Sequence, residues 1–297
     1  MSVVLVHWNQ ARRCAETASQ FLESDLVAEV CVVDNGSRQA ERQLLGELLD
    51  QRVQLIDVGF NSGFGPAANR GWERWLSNPA GTEWSMLAPH DVLVDVDTID
   101  KLMAATGAEG NVGLLSADVG DNARPVVDHV FGPILEPAGC TGGLEPVDYP
   151  HGTLMMASRT CLDQIGLFDE RYFAYCEEAD LGLRAKKAGF EVGLVRGATV
   201  RNPTVSTAAP VADYLMERNT VLLVAEHFGR RKAALRFLLM VGHLVGGSIM
   251  PSRRNPYWSS QARRRAIVDV TRRRWGSPPQ SLFTTNDSEV REQNRFS

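Results

Sequence analysis

Three carboxylates fall within four residues at Glu177-Glu178-Ala179-Asp180, directly after the aromatic run Tyr172-Phe173-Ala174-Tyr175. The following residues read as a helix, Glu177–Ala188, and acids at a helix start have a purely structural role because they complement the helix dipole. Glu177 and Asp180, at i,i+3, share one face, whereas Glu178 points elsewhere. Asp180 also stands four residues before Arg184, the spacing of a helical ion pair, so its carboxylate reads as structural. The aromatic residues would wall off Glu177 and Glu178 from water. Desolvation of that kind raises a carboxyl pKa toward neutrality and suits it to take a proton from a substrate hydroxyl.

A second set of residues suits phosphate and base recognition. Asn61-Ser62-Gly63-Phe64-Gly65-Pro66-Ala67-Ala68-Asn69-Arg70-Gly71 follows a strand and opens a helix, so backbone could approach a ligand closely and a helix N-terminus could face an anion. It contains G-x-G-x-x-A, but after the third strand and with no acidic strand end about 20 residues on, which disfavours a nicotinamide or flavin site; without G-K-[ST] it is no Walker loop. Asp34, in Asp34-Asn35-Gly36-Ser37, could accept from a nucleobase N–H or simply cap its turn. In Pro89-His90-Asp91 a carboxylate and an imidazole could hold a divalent cation bridging phosphates, or form an ordinary turn.

These groups need strand ends to carry them. The first hundred residues alternate β-branched runs with helical patterns, as in α/β units on a mainly parallel sheet. Strands are expected at Ser2–Val6, Val30–Val33, Val53–Val58 and Glu83–Leu87, with helices at Asn9–Leu22, Ala40–Leu49 and Pro66–Leu76. The Gly-, Pro- and Asp-rich stretch 107–150 yields strands Val112–Ala117 and Val126–Phe131 among loops. Beyond it come a strand at Thr153–Ala157, a helix at Ser158–Ile165, the acidic helix, a strand at Glu191–Val195, and helices at Ala212–Phe228, Arg230–Ile249 and Ser259–Trp275. Three strand ends thus carry polar residues where open α/β sheets bind ligands.

With 297 residues, 44% hydrophobic and 23% charged, the chain is an ordinary globular body, not a disordered, collagen-like or many-spanning membrane protein. Five cysteines without a C-x-x-C pair argue against a disulfide framework or zinc ribbon. The net charge of −5 is uneven: 1–225 carries −14, 226–275 carries +10 and the tail −1. The start, Met1-Ser2-Val3-Val4-Leu5-Val6, enters a strand with no basic n-region, and a cytoplasmic location is expected. The expected division is a catalytic domain at 1–210, a helical extension at 211–276 and a disordered tail at 277–297.

Taken in order, the motifs resemble family 2 glycosyltransferases of the GT-A fold, especially bacterial rhamnosyltransferase-like members, from Val3 to about Trp275. The carriers are Val4-Leu5-Val6-His7-Trp8-Asn9, Val32-Val33-Asp34-Asn35-Gly36-Ser37, Asn61-Ser62-Gly63-Phe64-Gly65 with Asn69-Arg70-Gly71, and the stretch from Gly166 to Ala185 around Phe168-Asp169-Glu170 and Glu177-Glu178. The resemblance implies a Rossmann-like, mainly parallel mixed sheet flanked by helices, with a helical C-terminal extension. It implies an inverting transfer from a nucleotide-diphospho sugar, a UDP- or dTDP-sugar such as dTDP-rhamnose, to a hydroxyl of a glycan, lipid-linked or small-molecule acceptor. It places His7, Asn9, Asp34, Asn61, Gly63, Asn69, Arg70, His90 and Asp91 on the donor side. Glu178 becomes the base, with Glu177 the alternative.

Two departures from the family pattern touch the metal. The usual Asp-x-Asp becomes Pro89-His90-Asp91, and the later His becomes Asn202 in Val200-Arg201-Asn202-Pro203. A divalent cation, Mg or Mn, is still expected at Asp91; otherwise His90 substitutes as ligand, Arg201 neutralises the leaving group, or the chain is a degenerate homologue that binds nucleotide sugars without turnover.

The basic C-terminal segment is the remaining feature. Arg236, His243 and the Gly246-Gly247 break leave Ala233–Ile249 too short and too polar for a clear membrane span, and packing on the catalytic domain is its plainest role. The clusters Arg230-Arg231-Lys232, Arg253-Arg254, Arg263-Arg264-Arg265 and Arg272-Arg273-Arg274 could instead draw the protein to anionic lipid on the inner membrane face. Nucleic acid is not expected, since no recognition motif accompanies the arginines and the body is acidic. The helices would form the acceptor side or a homodimer contact.

Overall fold

A computed structural model describes residues 1–107, 110–202 and 207–283. Of the expected disordered tail, 284–297 lies outside the described residues. In chain order the elements are Ser2–His7 (β1), Ala11–Leu22 (α1), Glu29–Asp34 (β2), Gln39–Leu48 (α2), Val53–Asp57 (β3), Phe64–Leu76 (α3), Trp84–Pro89 (β4), Leu93–Val94 (β5) and Thr98–Ala105 (α4). Then follow Val112–Asp118 (β6), Ala123–Asp128 (β7), Gly132–Pro137 (β8), Gly143–Pro146 (β9), Met155–Ser158 (β10), Arg159–Ile165 (α5), Glu177–Lys187 (α6), Glu191–Arg201 (β11), Ala209–Phe228 (α7), Arg230–Ile249 (α8) and Ser260–Thr271 (α9).

The main sheet runs β3-β2-β1-β4-β10-β6-β11-β5, with β9 also on β11. β3, β2, β1 and β4 are mutually parallel, β10 enters antiparallel between β4 and β6, and β11 returns parallel to β6. This is the mixed, mostly parallel α/β sheet expected, with helices over both faces. β1 shows why both faces must be covered. Val3 and Leu5 enter one buried apolar cluster with α1 residues Ala11, Cys14, Ala18 and Phe21, while Val4 and Val6 enter another with Ala67, Ala68, Trp72 and Trp75 of α3. Alternation along a strand buried on both sides gives a continuous apolar run.

Where elements depart from expectation, local chemistry accounts for it. α1 begins at Ala11 and not at Asn9, because Asn9 has φ +56 and its Oδ1 accepts the Arg38 N–H at 2.7 Å. The strand expected at Val126–Phe131 stops at Asp128, whose Oδ1 accepts from the N–H groups of Val130 and Phe131, both at 2.7 Å; this Asx turn leads into β8. β11 continues to Arg201 through a register shift between Val195 and Thr199, which Gly197 at φ +78 permits. α9 closes at Thr271, shortly before Arg273 at φ +52.

The chain divides into two compact units. The first holds the sheet and its flanking helices. The second comprises Asp128–Gly132, Arg171–Cys176 and the described residues from 207 onward, including α7, α8 and α9. Within it, Phe173, Tyr175 and Cys176 have φ of +68, +67 and +75, an uncommon run for non-glycine residues. The buried Asn219 of α7 holds this run by donating from Nδ2 to the carbonyls of Tyr172, Ala174 and Tyr175, each at 2.8 Å. The backbone conformation persists because the surroundings over-determine it.

The same unit is cross-linked by buried charge. Arg263 of α9 donates to both carboxylate oxygens of Asp213, at 2.9 and 2.7 Å, and pairs with Glu217 at 2.7 Å; Glu217 also accepts from Arg236 of α8 at 2.8 Å. All four are buried. Arg263 therefore lies inside the helical unit and not among the surface arginines expected to meet lipid.

Candidate active site

In-register pairing gathers the site's strand ends. His7 pairs with Asp34, Asp34 with Asp57, and Val6 with Pro89, so β1, β2, β3 and β4 all end on one edge of the sheet. That carboxyl edge is where open α/β sheets bind ligands.

His7 and Asp34 are fully buried there. The His7 Nε2 accepts the Gln10 N–H at 3.1 Å, so the hydrogen-bond pattern assigns the ring proton to Nδ1, which donates to Asp34 Oδ1 at 3.0 Å. Ser37 Oγ donates to the same Asp34 oxygen and accepts the Asn9 N–H at 2.9 Å. Burial pushes the Asp34 carboxyl up, but the hydrogen bonds from His7 and Ser37 outweigh it and hold the carboxyl below its ordinary value. This network locks the first two strand ends to the Asp34–Ser37 turn.

The turn is joined to the glycine-rich loop by Asn35, a residue the motif reading did not single out. Its Oδ1 accepts from Ser62 N–H and Ser62 Oγ, both at 2.9 Å, and its Nδ2 donates to the Gly63 carbonyl at 3.1 Å and to Asn61 Oδ1 at 3.3 Å. Asn61 Oδ1 in turn accepts the Gly63 N–H at 3.1 Å. Beside it, Gly36 has φ +76, and a Cβ there would overlap the backbone of Phe60. Gly36→Ala is therefore expected to cost about 3 kcal/mol in a denaturant titration, combining a left-handed alanine with an unrelieved backbone clash. An unchanged midpoint would show that the two loops can separate freely.

Asn69 and Arg70, placed on the donor side by resemblance, are otherwise engaged. Asn69 is buried, accepts the Phe168 N–H at 3.0 Å and donates to the Phe168 carbonyl at 3.0 Å, so it fastens the Gly166–Phe168 segment to α3. Arg70 is exposed and pairs with Glu73 at 2.9 Å and Glu170 at 3.7 Å. Arg184 grips the same segment from α6, donating to the carbonyls of Ile165 and Leu167, while Asp180 accepts from it at 2.8 Å. Asp180 thus has the ion-pair role its spacing predicts.

The two glutamates at the start of α6 meet different surroundings. Glu177 is buried against the first turn of α3: a Cβ on Gly65 would stand 3.6 Å from its Cγ, and its Oε2 has no hydrogen-bond partner among the described residues. Burial, and then the charge of Glu178, push the Glu177 carboxyl well above its ordinary value. Glu178 is half-buried, with its carboxylate over the backbone of Gly152, where any Cβ would collide with Oε1. Burial pushes its carboxyl up to about 7. A carboxyl poised near neutrality and partly open to solvent is suited to general-base chemistry. Nothing in the sequence spacing pointed to Gly152, which lies 26 positions upstream.

The end of β4 is more sparsely equipped. His90 and Asp91 are buried; the His90 ring stands edge-on to His7 with centroids 5.3 Å apart, and its Nδ1 donates to the Val6 carbonyl at 3.1 Å. Its Nε2 has no hydrogen-bond partner among the described residues. Burial holds the His90 pKa below its ordinary value, the form that can ligate a cation. No group of three His, Cys, Asp or Glu side chains suited to a metal occurs among the described residues. Asn202 and Arg201 are exposed, and Arg201 pairs with Asp95 at 3.4 Å. The donor set fits a hard divalent cation only in the manner of a site with one carboxylate that is completed by substrate phosphates.

Trp8, between His7 and Asn9, was quoted for its place in the motif but given no role. It is 37% exposed, directly after the end of β1 and beside the buried network.

The fold and this strand-edge site define an α/β protein with a polar carboxyl edge and an acidic helix start. Residues 2–131 match the profile described as glycosyl transferase family 2. Glycosyl transfer is the activity to which this match points. N-acetylglucosaminyl-diphospho-decaprenol L-rhamnosyltransferase of Mycobacterium tuberculosis is 29% identical over 281 residues, covering 80% of this chain and 90% of that protein. Among solved structures, the mannosyltransferase PcManGT from Pyrobaculum calidifontis in complex with GDP-Man and Mn2+ superposes with TM-score 0.56 at 14% identity, covering 92% of this chain and 86% of that one. S. aureus TarS 1-349 in complex with UDP gives 0.51 at 16% identity, covering 84% and 72%. At those identities the two structures speak to the fold alone.

Proposed function

We propose that this chain is an inverting glycosyltransferase that moves a deoxyhexose or hexose from a dTDP- or UDP-sugar to a hydroxyl of a lipid-linked glycan acceptor, with Glu178 as the base. The observation that carries this reading is the pair of glutamates at the start of α6. One, Glu178, is poised near pH 7 and partly accessible; the other, Glu177, is buried against the loop that opens α3. The name of the mycobacterial relative supports rhamnosyl transfer to a polyprenyl-diphospho-N-acetylglucosamine.

In this reading the acceptor hydroxyl gives its proton to Glu178 as its oxygen attacks the anomeric carbon, and the bond to the donor diphosphate breaks on the opposite face. A single in-line displacement inverts that centre. The developing diphosphate charge must be met by positive charge or by hydrogen-bond donors. Asp91, with His90 beside it, would hold a divalent cation completed by the diphosphate oxygens; such an ion supplies neutralisation of the leaving group. The Trp8 indole would stack on the nucleobase. Asn61 and Gly63 act through the backbone of the glycine-rich loop, while His7, Asn9 and Asp34 set the positions of the strand ends. Asn69 supports the frame through Phe168, and the exposed Arg70 lies beside Glu73 and Glu170.

Calorimetric titration with dTDP, UDP and GDP, each with Mn²⁺ and with EDTA, tests the donor side. The reading expects dTDP or UDP binding that weakens at least tenfold in EDTA and in Asp91→Asn. Equal binding in EDTA would move charge neutralisation onto protein cations. Nucleotide binding without turnover of any donor would favour a degenerate homologue, a reading to which the single carboxylate at Asp91 gives weight.

A further inference from the structure

α8 has two faces of opposite character. Its inner face is Ala233, Arg236, Met240 and Gly247, all buried in the helical unit; Arg236 is paired with Glu217 of α7, and a Cβ on Gly247 would overlap the Trp258 indole. Its outer face is Leu235, Leu238, Val245 and Ile249, which recur at helical spacing on one stripe with Gly242 and are exposed, Leu238 to 65% and Ile249 to 71%. From Leu235 to Ile249 this stripe is about 21 Å long at 1.5 Å per residue. Met250 extends it with 47% exposure. Contiguous exposed apolar surface of this kind marks an interaction site.

Charge identifies the occupant. The stripe carries no acidic residue, and one turn before Leu235 stands the exposed Arg231, preceded by exposed Arg230. The segment 226–275 as a whole carries +10 on a chain whose first 225 residues carry −14. Arg264, Arg272, Arg273 and Arg274 add exposed positive charge within the same helical unit. A second copy of this acidic-bodied chain would also bring ten positive charges against ten, whereas anionic phospholipid complements both the apolar stripe and the arginines.

We propose that the outer face of α8 docks on an anionic membrane, lying in the headgroup region with its apolar stripe inserted. The helix is long and apolar enough to cross a membrane by composition. However, the Arg236–Glu217 pair and the Gly247–Trp258 packing tie its inner face into the helical unit, so it lies on the bilayer and does not span it. The inference stands apart from the transfer chemistry, because docking is read without donor or acceptor.

Flotation of the full chain with phosphatidylglycerol vesicles and with phosphatidylcholine vesicles tests it. Binding to the anionic vesicles is expected, falling several-fold between low and about 0.15 M salt as the charges are screened. Leu238→Glu with Val245→Glu should weaken it more than tenfold with an unchanged melting temperature, since both side chains face solvent. Arg230→Gln with Arg231→Gln should weaken binding and flatten its salt dependence, an arm that does not alter the apolar stripe. No flotation with anionic vesicles at low salt would overturn the proposal. So would a dimer in light scattering that the double glutamate variant splits while vesicle binding stays absent.

Discussion

Replacing Glu178 by Gln is expected to lower the transfer rate about 10²- to 10⁴-fold, the usual contribution of a positioned general base, while dTDP or UDP binding persists. The amide keeps the shape of the side chain over Gly152 but cannot accept the acceptor proton. The same assignment fixes a pH profile. A base must be ionised to act, and burial pushes the Glu178 carboxyl up to about 7. The rate should therefore fall about tenfold per pH unit below that value and level off above it. Glu177 behaves differently. Burial, and then the charge of Glu178, push its carboxyl well above its ordinary value, and it faces the first turn of α3, away from Gly152. Glu177→Gln should then leave most of the activity and the acid limb in place. It should also raise the melting temperature at neutral pH, because a carboxyl whose folded pKa is raised favours the fold most below its ordinary value near 4.5 and loses that contribution as pH rises. If Glu177→Gln abolishes transfer and Glu178→Gln does not, the base is Glu177.

The largest stability effect is expected at Asp213. It is buried, receives two hydrogen bonds from Arg263 and caps the Ser259 N–H at 2.9 Å. Removing it leaves two buried guanidinium groups, Arg236 and Arg263, sharing the one carboxylate of Glu217. Breaking a buried pair from one side costs about 3–5 kcal/mol, because the remaining charge stays desolvated. Asp213→Ala should lower the denaturation midpoint accordingly. The double change Asp213→Leu with Arg263→Met should recover much of the loss, since both charges leave together. If the single variant costs no more than the double one, the charge network contributes little to holding α7 and α9 together.

How much of this was visible in the sequence depended on whether a signal was local. β1, β2, β3 and their helices were legible because apolar runs, turn residues and Pro66 sit within a few positions of one another. α8 was read at Arg230–Ile249, where Gly229 and the end of the apolar pattern mark both limits. The short strands β5 and β9 were not legible because they are brief and pair with β11, distant in sequence; β8 and the helix α4 were not expected either, and of β7 only Val126–Asp128 was. The site shows the same division. Asp180 with Arg184 could be read from i,i+4 spacing, and the glutamates from their density and their aromatic prelude. By contrast, Asn35 as the link between two loops, Gly152 beneath Glu178, and Asn69 as a clamp on Phe168 depend on long-range contact. Asn69 and Phe168 lie 99 positions apart and become neighbours only in the fold. Arg263 was misread for a related reason. A run of three arginines looks like surface charge, and only the partners Asp213 and Glu217 on α7 reveal that Arg263 is buried within the helical unit.

The most direct test of the central claim is transfer itself. The full chain would be incubated with labelled dTDP-rhamnose, and separately with other dTDP- and UDP-sugars, together with a polyprenyl-diphospho-N-acetylglucosamine acceptor and Mn²⁺ or Mg²⁺. The product's anomeric configuration would then be read by NMR. The account predicts label in the lipid-linked product with the anomeric centre inverted, and none with Glu178→Gln. A product of retained configuration, or equal product from wild type and Glu178→Gln, would contradict it.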